Sequence, residues 1–184
     1  MPGWLTPVYE LILDDSSLPK DWFVLFPEDT STDPTVNHVA RIWGHPDGAH
    51  AEEVLWRSLT ISGAKAKYAE LVNQPPLHSG LKPFPTDFVV EFRPPTDIAF
   101  RSQIADQYYL ACGWIIWAYC EIAARYRNYV VDFRLDRQAE LQHHYSAGLT
   151  GADIELLLKT MDARFAERLD RLPTPVSFVA RGIW

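Results

Sequence analysis

YYLACGWIIWAYC, Tyr108–Cys120, contains no charged residue, and Asp106 and Glu121 close the uncharged run on either side. A membrane-spanning helix needs about 20 consecutive apolar residues. The run from Gln107 to Cys120 is fourteen residues, so no membrane span is expected. Its length and continuity read as a long buried helix, capped at Thr96 or Asp97 and ending near Tyr126. On a helical wheel Ile104, Tyr108, Ala111, Ile115, Ile122 and Tyr126 share one face. Leu110, Trp114 and Trp117 share another, offset from the first. A surface helix buries a single stripe, so two apolar faces predict a central helix or one that meets a partner. Ile115 is assigned to the core. Trp114 and Trp117 are candidate binding residues, because large rings anchor interfaces as well as cores. Self-association through this face is a further expectation.

Alternation outside this run predicts strands. Pro7–Asp15, Asp21–Asp29 and His38–Trp43 are separated by short polar stretches, which favours an antiparallel meander. Thr86–Pro95 alternates cleanly at Phe88, Val90 and Phe92, and Tyr129–Asp136 is a further strand. Helices are expected from Asp47, as a cap, to about Leu59, and over Gly63–Val72 ahead of Pro75–Pro76. The best helical pattern is Gly151–Leu172. Ile154, Leu157, Leu158, Met161, Phe165, Leu169 and Leu172 lie on one side of it, and Thr150 with Asp153 forms a capping-box variant. A last strand is expected in the C-terminal VSFVARGIW. The sum is an α+β fold: a mainly antiparallel sheet with two long helices, about 97–126 and 151–172, packed on one face. The 184 residues are read as one domain, 1–184, long enough for a substantial core.

Net charge is −7, unevenly spread. Residues 1–53 hold ten acids and two bases, a net of −8, which leaves +1 for the remainder. An acidic chain argues against nucleic-acid binding, which needs clustered Lys and Arg. Arg125-Tyr-Arg127-Asn-Tyr129 is too thin a basic patch to change that. The acidic first third instead makes Asp29, Asp33 and Glu53 candidate contacts for a partner protein with a basic surface. Cys112 and Cys120 are the only cysteines. On a helix they would stand about 12 Å apart, too far to bridge. Reduced thiols, with no signal-like apolar stretch at the start, point to a cytoplasmic protein.

Chemistry-bearing residues are densest in WGHPDGAHAEE, Trp43–Glu53. His45, Asp47 and His50 are the candidate catalytic group, since imidazoles beside a carboxylate suit metal-assisted or acid–base work. Their spacing matches no specific metal motif, so neither metal nor cofactor is expected, and Pro-Asp-Gly reads first as a turn. His143 and His144 are adjacent and point apart on most backbones. No phosphate-binding glycine loop or nucleophile elbow is present. This profile (small, acidic, aromatic-rich, without a catalytic motif) is similar to that of inhibitor and immunity-type proteins. The missing catalytic motif, the acidic first third and the doubly apolar helix point to a non-enzymatic cytoplasmic module that binds another protein. The alternative is a small enzyme centred on His45, Asp47 and His50.

Overall fold

The computed structural model describes residues 6–26, 37–73, 92–114, 118–136 and 148–169. Six antiparallel strands form one sheet: β1 Phe23–Phe26, β2 His38–Gly44, β3 His50–Arg57, β4 Gln107–Trp114, β5 Ala118–Tyr126 and β6 Tyr129–Asp136. Their order across the sheet is β1-β2-β3-β6-β5-β4. Helix α1, Ile61–Asn73, lies on one face, and α2, Gly151–Leu169, packs on the other. The α+β, antiparallel expectation therefore holds, with one long helix in place of two among the described residues.

The opening stretch is where the expectation fails. It is the β4–β5 hairpin, and nothing in 97–126 is helical among the described residues. β5 is buried along its whole length. A strand covered on both faces need not alternate between core and solvent, so it loses the pattern that identifies strands. The residues between the strands, Ile115-Ile116-Trp117, include none of the usual turn formers. The assignment of Ile115 to the core and of Trp117 to a second face falls outside the described residues. Trp114 ends β4, and its side chain is likewise outside the description. The helical faces dissolve into strand alternation. Cys120, Ile122, Ala124 and Tyr126 face the α2 side, and Ala123 faces the α1 side.

The same change of backbone reverses the reading of the cysteines. Cys112 and Cys120 are directly opposed across the hairpin and form a disulfide, with Cα atoms 4.1 Å apart. Cys112 turns its N–H and carbonyl outward to Arg93, at 2.8 and 3.0 Å. The two cysteines thus form a non-hydrogen-bonded pair, the kind that approaches most closely in an antiparallel ladder. The reduced-thiol argument for a cytoplasmic protein does not hold. No helix among the described residues is long and apolar enough to cross a membrane. The disulfide closes a short loop, for which chain entropy predicts about 2–3 kcal/mol of stabilisation. Cys112→Ser combined with Cys120→Ser should lower the unfolding free energy by that amount in a denaturant titration. An unchanged midpoint would show that the bond adds nothing to the hairpin.

Two further expectations change. Asp47 caps no helix, because His50–Arg57 is a strand. His45-Pro46-Asp47-Gly48 instead turns the β2–β3 hairpin, with the Gly48 N–H on the His45 carbonyl at 2.8 Å. Gly48 has φ 91°, which a residue with a Cβ adopts only under strain. Pro7–Asp15 forms short 3-10 turns rather than a strand. Other elements form as expected. β2 and β6 match their segments, and α1 contains Gly63–Val72. In α2 the capping box is reciprocal: the Asp153 N–H donates to Thr150 Oγ1 at 3.2 Å, and the Thr150 N–H donates to Asp153 Oδ2 at 2.9 Å. Arg125–Tyr129, read as a helix end, is the β5–β6 turn, where Arg127 has φ 53°. The expected Thr86–Pro95 strand is described only from residue 92, where Arg93 bridges to Cys112. His143, His144 and the C-terminal segment lie outside the described residues.

The main core lies between the sheet and α2. Trp43, Leu55, Phe133, Ile122 and Phe165 are among its fully buried members. The second face is different, and it carries a cluster of charged side chains.

Candidate functional site

Strand register places the polar residues of the second face in rows. His50 and Glu52 of β3 lie beside Asp136 and Arg134 of β6; Arg134 in turn pairs with Glu121 of β5, and Asp136 with Tyr119. Asp132 follows two residues from Arg134 on the same face, because strand side chains alternate. Glu52, Glu121 and Asp132 thus surround the Arg134 guanidinium near the middle of the sheet, and Asp136 lies beyond them against His50. Glu121, Asp132 and Asp136 are 6%, 1% and 1% exposed. His50, Glu52 and Arg134 are more open, so the cluster faces solvent from the β3 side.

Burial of this kind works against charge. Loss of water pushes the Glu121 carboxyl up to about 7; Asp132 adds to the shift and Arg134 opposes it. Asp132 is raised to about 6, again chiefly by burial, against the pull of Arg134. Arg134 Nη2 stands 2.6 Å from Asp132 Oδ2. Tyr119 is raised mainly by burial. Its ring meets Phe92 edge-on at 6.0 Å, and Phe92 itself lies over Gly113, where a Cβ would come within 2.9 Å of the ring.

His45, Asp47 and His50 do not assemble into one centre. The Asp47 N–H donates to His45 Nδ1 at 3.2 Å within the turn, and the two side chains stand 3.9 Å apart. His50 turns away to Asp136 and contacts Oδ2 through both Nδ1, at 2.8 Å, and its backbone N–H, at 3.0 Å. The bond to Asp136 raises its pKa, although burial works the other way. Among the described residues no group of three or more His, Cys, Asp or Glu side chains is placed to hold a metal ion.

Glu53 is not a surface contact. β3 alternates, so the consecutive acids Glu52 and Glu53 face opposite sides of the sheet. Glu53 is 0% exposed, and its Oε2 accepts the Leu13 N–H at 2.8 Å. Burial raises its carboxyl to about 7, against the Leu13 bond and the nearby Arg164 and Arg41. Arg41 donates to the Leu13 carbonyl and Arg164 to that of Ile12. Together these groups fasten the N-terminal segment to the sheet. Asp29 and Asp33 lie outside the described residues.

Sequence reading passed over Glu121, Asp132, Arg134 and Asp136. A signal was available. In YVVDFRLD the charged residues recur at every second position, which on a strand puts all three on one face. Glu121 joins them only once the run before it is also read as strand. No protein-family model, curated protein or solved structure matches this chain, so function rests on the site.

Proposed function

We propose that this protein is a non-enzymatic binding module that takes hold of another protein through a basic group, in the manner of an inhibitor. The observation that carries the reading is the second sheet face, where Glu52, Glu121 and Asp132 surround Arg134 and Asp136 lies beyond them. Glu52, the open carboxylate at the edge of this cluster, favours a partner bringing Lys or Arg, both in steering its approach and in rejecting acidic competitors. The net charge of −7 acts in the same direction. His50 turns away to Asp136 and leaves His45 and Asp47 as a pair within the turn, which lends the alternative centred on all three no support. Affinity capture from the native cell, followed by reconstitution of the purified pair, tests the reading. A basic protein should bind at defined stoichiometry, with association slowed by added salt. A partner with an acidic contact surface, or none at all, would sink it.

A second reading is favoured by one specific observation: Glu121 and Asp132 are neighbours whose carboxyls are held up at about 7 and about 6. Groups poised there exchange protons near neutral pH, as acid–base catalysts do. On this reading the enzyme centres on Glu121 and Asp132 instead of on the three residues of the β2–β3 turn. A turnover abolished by Glu121→Gln, with a pH profile governed by ionisations in that range, would establish it.

The paired cysteines bear on location. We infer an oxidising compartment in preference to the cytoplasm, where thiols are kept reduced. Mass spectrometry of thiol-blocked protein taken directly from its native cells should find Cys112 and Cys120 joined. Free, alkylated cysteines there would restore the cytoplasmic expectation.

A further inference from the structure

The second sheet face is covered unevenly. Helix α1 packs over Ala123 and Val130, together with Trp56 and Tyr109. At the opposite corner Phe23 and Leu25 of β1 remain 47% and 41% exposed, while the intervening Val24 packs against the core. Leu25 sits directly over Gly44, where a Cβ would meet it at 2.7 Å. Ile42 beside them is half-buried, and its cross-strand neighbour is Glu52. Glu52 reaches Arg134 only at 4.0 Å. His38 and His50 aside, it is the one ionisable residue that β1–β3 place on this face. Single exposed apolar residues are ordinary. Here a short apolar strip on an edge strand runs directly into the open side of an acidic cluster.

Resting on the binding-module reading above, we propose that this corner is the contact surface, and that its occupant is a basic, amphipathic segment of the partner protein. Apolar side chains of that segment lie on Phe23, Leu25 and Ile42, and a Lys or Arg reaches Glu52. Charge complementarity selects this occupant. An isologous pairing with a second copy would bring two acid-rich faces together, whereas a basic segment meets opposite charge on one side and apolar surface on the other.

The test titrates the isotopically labelled full chain with a synthetic peptide of alternating arginine and valine, against a glutamate–valine control. Resonance shifts should concentrate at residues 23–25, 40–44 and 50–54. Leu25→Ser and Glu52→Gln should each weaken binding by about tenfold, the scale of a modest interface anchor. Both positions are at least partly open, and an unchanged spectrum elsewhere confirms the fold of each variant. Shifts confined to other surfaces, no binding, or affinity untouched by Leu25→Ser would overturn the proposal. So would a dimer of the chain alone that uses the same resonances. If a captured native partner binds both variants as tightly as the unaltered chain, the corner fails while the module reading stands. If no native partner is captured but the peptide maps to the corner, the module reading fails and the corner stands only as a surface for basic amphipathic peptides.

Discussion

Stability should fall as the pH rises from about 5 to about 8, by roughly 1–3 kcal/mol per pH unit at the steepest point, since each proton of difference between the folded and unfolded states contributes about 1.4 kcal/mol per unit. Glu53, Glu121 and Asp132 are all raised by burial, to about 7, about 7 and about 6. Between the ordinary carboxyl range and those values the folded chain holds protons that the unfolded chain has released. The stability they confer is greatest on the acid side and is lost as the pH climbs through the raised values. His50 acts in the same sense, since its pKa is raised by Asp136. Its contribution is complete below the ordinary imidazole value and disappears as pH rises through the raised one. Glu155 is lowered by the N–H groups of Ala99 and Phe100, so its effect appears only at more acid pH. Denaturant midpoints measured across this range would reveal the slope, and a flat or rising profile would refute it. Glu53→Gln should flatten the profile by about one proton and should be more stable than the unaltered chain at pH 8. The amide can still accept the Leu13 N–H, and it leaves no charge to bury.

Phe165→Ala should destabilise the protein by about 3–5 kcal/mol, the usual loss when a buried aromatic is truncated and leaves a cavity. Phe165 is fully buried. It stacks on Tyr126 with ring centroids 4.0 Å apart and meets Tyr129 edge-on at 6.2 Å. Neither tyrosine can move in to fill the gap. The Tyr126 hydroxyl donates to Asp162 Oδ1 at 2.6 Å, and that of Tyr129 to the Thr6 carbonyl at 2.8 Å. Phe165 is a central contact between helix α2 and the β5–β6 hairpin, so the loss should register as global unfolding. Leu156→Ala on the exposed side of the same helix should stay within about 0.5 kcal/mol. A denaturant titration that found the two variants alike would contradict this account of how α2 is held.

Elements with one face to solvent were legible along the chain. α2 shows its stripe from Ile154 to Leu169 and its cap at Thr150, because the helix has a wet side that must be polar. α1 and β2 could be placed for related reasons, and β6 was placed although it is buried along nearly its whole length. β3 could not. Alternation from Ala51 to Arg57 puts Glu53 and Arg57 on the core side, where partners from distant segments receive them, and such residues look like surface until those partners are known. The Tyr108–Cys120 stretch carried no period at all. Uncharged side chains follow one another on both faces of these strands, and only cross-strand pairing could decide between helix and hairpin. That decision controls the rest. It brings Cys112 opposite Cys120, and it turns Glu121 toward Arg134 and Asp132. Local sequence therefore determined the half-exposed elements and the overall acidity. The disulfide, the buried carboxyls and the site they form were decided by long-range contacts, which no window along the chain contains.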